Sequence, residues 1–352
     1  MKVAVVESYN NINYIDIPEP EIRPGHVKVA VRCCGICGSD IPRVLKGTCH
    51  SFPQVLGHEF SGVVVEKAED VKTVSSGDHV VGIPLVPCFE CEDCKKGHFS
   101  QCRNYSFVGS RQQGAMAEYV VIPEKNVLKI DTSIPFEYAA LFEPSTIALH
   151  GLFLNGYHPG RDDFVVILGG AGCIGLFTTQ WCKLLGASNL VVIGRDRHRL
   201  EIAKQYGADN ILSSLDNDFI SKAIGLTGGK GFSYVFDAAG TEDTISTGLL
   251  LAANNSNMCM IGTPTIQVAF PVKTWEMINR KEMMLTGSWM SYSAPWPGKE
   301  WTMTAEAVSN GRLKIDENMI HSIVSLRDVK ECFKLIEHNP SSIKGRIILR
   351  IE

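Results

Sequence analysis

Residues 164–175, FVVILGGAGCIG, run from an uninterrupted apolar segment through a glycine-rich turn into a helical stretch, LFTTQWCKLLGA. An apolar run without alternation is a strand buried on both faces, which implies a parallel sheet covered by helices on either side. The pattern recurs. NLVVIG is a second such strand and RHRLEIAKQYGA a second helix, while YVFDAAG, NSNMCMIGT and EMMLTGSW read as further buried strands with helical segments between them. Strands alternating with helices predict an α/β unit with a doubly wound parallel sheet, placed at residues 151–287.

The turn Gly170-Ala171-Gly172-Cys173-Ile174-Gly175 has the spacing of a dinucleotide-binding loop. Its glycines would serve a tight turn, close backbone approach to a pyrophosphate, and tight helix–strand packing. The helix start adds unpaired N–H groups and partial positive charge. Gly170, Gly172, Cys173, Ile174 and Gly175 are therefore candidate cofactor contacts. The second strand ends in Gly194, followed by Arg195-Asp196-Arg197-His198-Arg199. A carboxylate at that strand end would bond the ribose hydroxyls, whereas a glycine followed by arginines suits a 2′-phosphate. Gly194, Arg195 and Arg199 favour NADP(H) over NAD(H), with Asp196 as the residue that would reverse the preference.

The first 150 residues are different in character. HVKVAVR, FSGVVVEK, DHVVGI and EYVVIP are short β-type runs punctuated by Gly and Pro, as in an irregular antiparallel domain. Inside this region lie Cys88, Cys91, Cys94 and Cys102, in PCFECEDCKKGHFSQC. Their spacing lets one loop bring four thiolates to a tetrahedral zinc ion, a closed site without an open position for chemistry. A second, open site must be sought elsewhere. Cys37 in CGICGSD, His58 and Glu59 in LGHEFSG, and Glu143 in LFEPSTIALHG all carry normal zinc ligands. The tail, residues 288–352, carries SIVSLRDVKECFKLIEH and the strand RIILRI, and is expected to return to the first domain.

A net charge of −4 over 352 residues offers no general attraction to nucleic acid or an anionic membrane. The start, MKVAVVESYNN, lacks the basic and apolar regions of a signal peptide, and the longest apolar run is broken by glycines. Twelve cysteines in such a chain suggest metal ligation in a reducing compartment, so the expected location is cytoplasmic.

Taken in order, CGICGSD, GHEFSG, the four-cysteine loop, the EP motif at Glu143 and GAGCIG resemble the zinc-dependent medium-chain dehydrogenases, the alcohol and polyol dehydrogenase family. The resemblance covers essentially the whole length. It implies a Rossmann-type nucleotide domain (151–287) beside a mostly β, GroES-like catalytic domain (1–150, completed by 288–352). It also implies one catalytic and one structural zinc per chain, a nicotinamide cofactor, and a homodimer or homotetramer. By position, Cys37, His58 and Glu143 would hold the catalytic zinc, with Glu59 a direct or exchanging ligand. Four protein ligands would close the site, so either Glu59 or Glu143 is expected to yield. Ser39 matches the family's hydroxyl that takes the substrate proton. The position where simple alcohol dehydrogenases can continue the proton relay with a histidine is here Pro42.

Within that family, SDIPRVLKG, PLVPCFECEDCKKGHFSQC and GSWMSYSAPWPGKEW are similar to the galactitol-1-phosphate dehydrogenase branch. The expected reaction is hydride transfer between a sugar-alcohol phosphate and NAD(P), giving a keto-sugar phosphate. Arg43, Lys46 and His50 follow Ser39 closely and could meet a phosphate, Arg with a planar fork. Trp289, Tyr292 and Trp296 could wall a pocket, or serve the core or a subunit contact. Ser291 and Lys299 are lesser polar candidates. Two other readings stand beside this one: a dehydrogenase of free polyols such as sorbitol or L-iditol, and a zinc-stabilised nucleotide-binding regulatory protein.

Overall fold

Six strands paired in parallel throughout form one sheet, in the spatial order Asn210–Ser213, Asn189–Gly194, Phe164–Leu168, Phe232–Asp237, Ala252–Met260, Met284–Gly287. Numbered along the chain this is the 3-2-1-4-5-6 order of a dinucleotide-binding fold. The expected fold class is thus met in this half. Phe164–Leu168 and Asn189–Gly194 are buried at all but their first residues, because helices cover both faces. The helix Cys173–Leu184 is itself buried from Gly175 to Cys182, and Trp181 Nε1 donates to Ser145 Oγ at 3.0 Å in its core.

The computed structural model describes residues 1–352 and divides into two units. One holds the parallel sheet and comprises 144–291 with 312–314; the other comprises 1–143, 292–311 and 315–352. The division falls before the expected boundary at 151, because the helix Phe142–Leu154 starts in the first unit and continues into the second. Residues 312–314 join the nucleotide-binding unit through a paired contact. Gln180 Nε2 donates to the Lys314 carbonyl at 2.9 Å, and Lys314 N–H donates to Gln180 Oε1 at 2.8 Å.

The other unit is built on a seven-stranded sheet. Its central strand, His26–Gly35, pairs antiparallel with Glu59–Lys67, Tyr119–Pro123 and the C-terminal strand Arg346–Arg350. Ile348 lies opposite Gly35, so the chain's last strand is seated beside the loop that begins with Ile36. A smaller sheet pairs Lys2–Ser8 with Asn11–Asp16 and with Gln54–Val55. Buried valines and isoleucines of both sheets, with Phe333 and Ile336 of the helix Val329–His338, share one core. No helix is long and apolar enough to cross a membrane.

Candidate active site and metal centres

The strand pair His26–Gly35 and Glu59–Lys67 delivers three potential ligands to one end of the sheet. Gly35 is paired with Glu59; Cys37 follows two residues after Gly35, and His58 immediately precedes Glu59. Gly57 makes the turn into His58 with φ +96°, and a Cβ there would stand 2.6 Å from Cys34 Sγ. Only glycine fits both constraints.

The ligand atoms of Cys37, His58 and Glu59 lie within 4.8 Å of one another. His58 Nδ1 and Glu59 Oε1 are buried without a hydrogen-bond partner, and Glu59 Oε2 meets Arg346 Nε at 2.9 Å in an ion pair without hydrogen-bond geometry. Leaving such groups unsatisfied costs about 1–3 kcal/mol each, more for a charge. A metal ion would satisfy them, and a thiolate, an imidazole and a carboxylate are a natural donor set for zinc. Burial pushes the Cys37 thiol far up and the neighbouring Glu59 adds to it, against the opposing pull of Arg346. Glu143 is buried at the first turn of Phe142–Leu154. Burial raises its carboxyl to about 7, against the opposing pull of His58 and with the repulsion of Glu59.

Asp40 is a residue that sequence reasoning did not single out. It is wholly buried; Oδ2 accepts the Cys37 N–H at 3.0 Å, and Oδ1 lies 3.7 Å from His58 Nδ1. It thereby holds the thiol loop and places a carboxylate near the imidazole, beyond hydrogen-bond range. Its signal in the sequence was only an acid directly after Ser39.

Ser39 is exposed and immediately precedes the short helix Asp40–Leu45. Arg43, one turn on, donates from Nη1 to Ser39 O at 3.0 Å and Ser39 Oγ at 2.9 Å, and approaches Asp40 Oδ1 at 3.4 Å. Lys46 and His50 are exposed beyond it. Trp289 is 57% exposed. Tyr292 has a different place from a pocket wall. It is buried, its hydroxyl accepts the Leu85 N–H at 3.2 Å, and its ring stacks on Trp296 at 5.3 Å and Trp301 at 6.0 Å. Trp296 in turn meets Phe89 and Phe99 edge-on, so these aromatics cover the cysteine loop.

In that loop the sulfurs of Cys88, Cys91, Cys94 and Cys102 stand 3.5–4.0 Å apart where they touch. This is far beyond a disulfide. It fits the S–S edge of about 3.8 Å that a tetrahedron with Zn–S near 2.3 Å requires. The backbone N–H groups of Cys94 and Arg103 hold the Cys91 thiol down to about 6, and those of Glu90 and Cys91 lower Cys88. Burial raises Cys94 and Cys102. A loop that already points N–H donors at sulfur is suited to thiolates.

The nucleotide turn separates glycines the fold needs from one it does not. A Cβ on Gly170 would lie 2.2 Å from Val192 Cγ1, and one on Gly175 would lie 2.4 Å from Gly170 Cα. On Gly172, which caps the helix Cys173–Leu184, the nearest atom would be Gly169 O at 3.4 Å. Room that the protein itself leaves vacant at a helix start fits a phosphate group approaching the backbone.

At the second strand end, Gly194 is packed under the turn, where a Cβ would meet Ala171 Cβ at 2.9 Å. Asp196 caps the helix Arg197–Gln205, accepting the Arg199 N–H at 3.0 Å. Arg199 is turned inward: it is buried, and its Nε donates to the Ala171 carbonyl at 2.7 Å. Arg195 remains exposed. Of the two arginines expected at the cofactor, one faces solvent and the other ties the helix to the glycine turn.

A doubly wound sheet with a glycine turn, together with a sheet unit carrying two donor clusters suited to zinc, defines a metal- and dinucleotide-dependent oxidoreductase. Residues 23–132 match the alcohol dehydrogenase GroES-like domain, and residues 173–306 match the zinc-binding dehydrogenase domain. The chain belongs to the zinc-dependent medium-chain alcohol and polyol dehydrogenase family, whose members act on CH–OH groups. Galactitol 1-phosphate 5-dehydrogenase of Escherichia coli (strain K12) is 34% identical over 91% of this chain and 92% of that enzyme. The crystal structure of galactitol-1-phosphate dehydrogenase from Escherichia coli superposes with a TM-score of 0.92 at 33% identity, over 99% of this chain and 100% of that one. D-xylulose reductase A of Aspergillus oryzae is 30% identical (94% of this chain, 91% of that enzyme). D-arabitol-phosphate dehydrogenase of Enterococcus avium is 31% identical (94% and 92%). The alternative of a purely regulatory nucleotide-binding protein is thereby set aside.

Proposed function

We propose that this protein is a zinc-dependent polyol-phosphate dehydrogenase, interconverting a sugar-alcohol phosphate of the galactitol-1-phosphate type and the matching keto-sugar phosphate with NAD(P). The observation that carries the phosphate is Arg43. Its three contacts with Ser39 and Asp40 all use Nη1, which leaves the rest of the guanidinium fork for an anion one turn from the reacting hydroxyl. Exposed Lys46 and His50 add donors to the same stretch. The similarity to two named polyol-phosphate dehydrogenases supports the same substrate class.

Cys37, His58 and Glu143 would hold the catalytic zinc, with Glu59 as the exchanging carboxylate; Cys88, Cys91, Cys94 and Cys102 would hold the structural one. When bound, the catalytic ion supplies a Lewis acid that acidifies the substrate hydroxyl, and the nicotinamide supplies the hydride acceptor. Ser39 Oγ takes the proton that the carbinol loses while it releases its own to solvent water, to which it is exposed. Arg43 fixes that hydroxyl by donating to it, and because a guanidinium does not give up its proton it orients the serine without extending a relay. Asp40 keeps the Cys37 loop in place.

For the cofactor, exposed Arg195 beside Gly194, with the Asp196 carboxylate engaged at the helix cap, supports NADP(H). The thiol-based metal loop fits a reducing, cytoplasmic setting. A homo-oligomer is supported by the strand Met284–Gly287, which stands at the sheet edge with Met284 and Leu285 exposed.

Steady-state assays on galactitol 1-phosphate, other hexitol and pentitol phosphates and the free polyols, each with NAD⁺ and NADP⁺, test both assignments. We expect kcat/KM for a phosphorylated polyol to exceed that for its free form by at least about tenfold, the worth of one charged hydrogen bond. Equal efficiency on free sorbitol would remove the phosphate, and a tenfold preference for NAD⁺ would reverse the reading of Gly194 and Arg195. The free-polyol alternative is favoured by the similarity to D-xylulose reductase A.

A further inference from the structure

The short strand Ser106–Phe107 sets the Phe107 ring edge-on against His58, with centroids 5.4 Å apart, and the chain then turns back sharply. Arg111 N–H donates to the Phe107 carbonyl at 2.9 Å, which ties Arg111 by its backbone to a residue that touches the metal centre. Arg111 is exposed, and its guanidinium lies over the Tyr105 ring, 4.5 Å from the centroid. An aromatic face restricts where such a long side chain points without using up its N–H fork. The loop before Val55 is bound to the same turn. Gln54 Nε2 donates to the Gln112 carbonyl at 2.9 Å, and Val55 N–H donates to Gln113 Oε1 at 2.6 Å. At its other end that loop is joined to the helix Asp40–Leu45, where the Cys49 thiol donates to the Arg43 carbonyl at 3.5 Å. His50 is thereby brought within the field of both Arg111 and Arg43. Burial and these two guanidiniums hold its imidazole below the usual range, and no carboxylate offsets them.

We propose that Arg111 is the second arginine of an anion site begun by Arg43, and that the ligand of this site is the phosphate of a phosphorylated polyol. A phosphate monoester carries nearly two negative charges near neutral pH, on three acceptor oxygens. Arg43 answers one of those charges at most, and its Nη1 is already engaged with Ser39 and Asp40. One arginine therefore leaves the dianion about half neutralised. Arg111 supplies the second charge, with a planar fork that matches a pair of phosphate oxygens. Cations gathered with no acid among them repel one another, and a bound dianion removes that repulsion. Tyr105 is a positioning residue in this scheme, acting on substrate only through Arg111. Arg111 has this role only if the substrate is phosphorylated, so the assignment rests on the polyol-phosphate reading proposed above.

The test uses steady-state kinetics of the full-length zinc enzyme on a polyol phosphate and the matching free polyol, with inorganic phosphate as a separate probe. The unaltered enzyme comes first: without a preference for the phosphorylated substrate, the polyol-phosphate reading fails and the role of Arg111 fails with it. Given a preference, Arg111→Gln is expected to lower the ratio of kcat/KM for phosphorylated over free substrate about 10–100-fold, the effect of losing a charged hydrogen bond. The change should fall on KM more than on kcat, because the phosphate is held alike in the ground and transition states. Inorganic phosphate should compete with the polyol phosphate, and its Ki should rise about tenfold in Arg111→Gln. The rise should be smaller in Arg111→Lys, which keeps the charge and loses the fork. Tyr105→Leu should raise KM for the phosphorylated substrate, but not further in an Arg111→Gln background; an equal rise in both would remove its positioning role. A selectivity ratio that Arg111→Gln leaves undiminished, or inhibition by inorganic phosphate that it leaves unchanged, would overturn the inference while the polyol-phosphate reading stands on Arg43.

Discussion

Arg43 joins two roles on one side chain. From sequence it was a cation one turn after Ser39; in the folded chain it binds the Ser39 hydroxyl and carbonyl and leans on buried Asp40. Replacing it by alanine should therefore slow every substrate somewhat, through Ser39. The loss should be about 10–100-fold larger for a phosphorylated polyol than for its free counterpart, because only the former forfeits a charged hydrogen bond. Steady-state kcat/KM ratios for the matched pair measure this, and equal losses would confine Arg43 to orienting Ser39. Asp40 and Arg346 show what single-residue reading overlooks. An acid or an arginine has no distinctive sequence signal when its meaning comes from partners that only the fold brings to it.

At the level of elements, the buried strands and the glycine turn were legible because each is a local pattern with a local physical cause. An uninterrupted apolar run must be covered on both faces, and glycines are needed where a Cβ has no room. The structure divides those glycines by purpose. Gly170→Ala should destabilise the fold by about 1–3 kcal/mol through its contact with Val192. Gly172→Ala should leave thermal stability nearly unchanged and weaken dinucleotide binding instead. Thermal melts and fluorescence titration with NAD(P)H distinguish the two, and a Gly172→Ala protein that melts early while binding normally would contradict the separation. The charged sequence after Gly194 was less readable, because Arg195, Asp196 and Arg199 look alike until the helix Arg197–Gln205 assigns them. One faces solvent, one caps, and one turns in to Ala171.

Across the whole molecule, the cysteine loop is packed against the return of the chain. Phe89 and Phe99 of the loop pack on Trp296, which stacks on Tyr292, so residues 292–301 act as its cover. Cys94→Ser should lower zinc content from two ions to one per chain. It should also lower Tm by at least about 5 °C, as a loss of a few kcal/mol would in a chain of this size. Metal analysis, calorimetry and sedimentation velocity check this, the last also reporting whether the native protein is an oligomer. A variant with one zinc and unchanged Tm would show the loop to be dispensable. The sequence alone determined the parallel nucleotide-binding sheet and the family and singled out two sets of candidate zinc ligands, because spacing along the chain carries the constraints of a turn or a four-thiol loop. Only the tertiary structure decided that Arg346 reaches Glu59, that buried Asp40 stands between the Cys37 N–H and His58, and that Tyr292 belongs to the core. Those contacts depend on strand register and burial, which bring together residues that no local pattern connects.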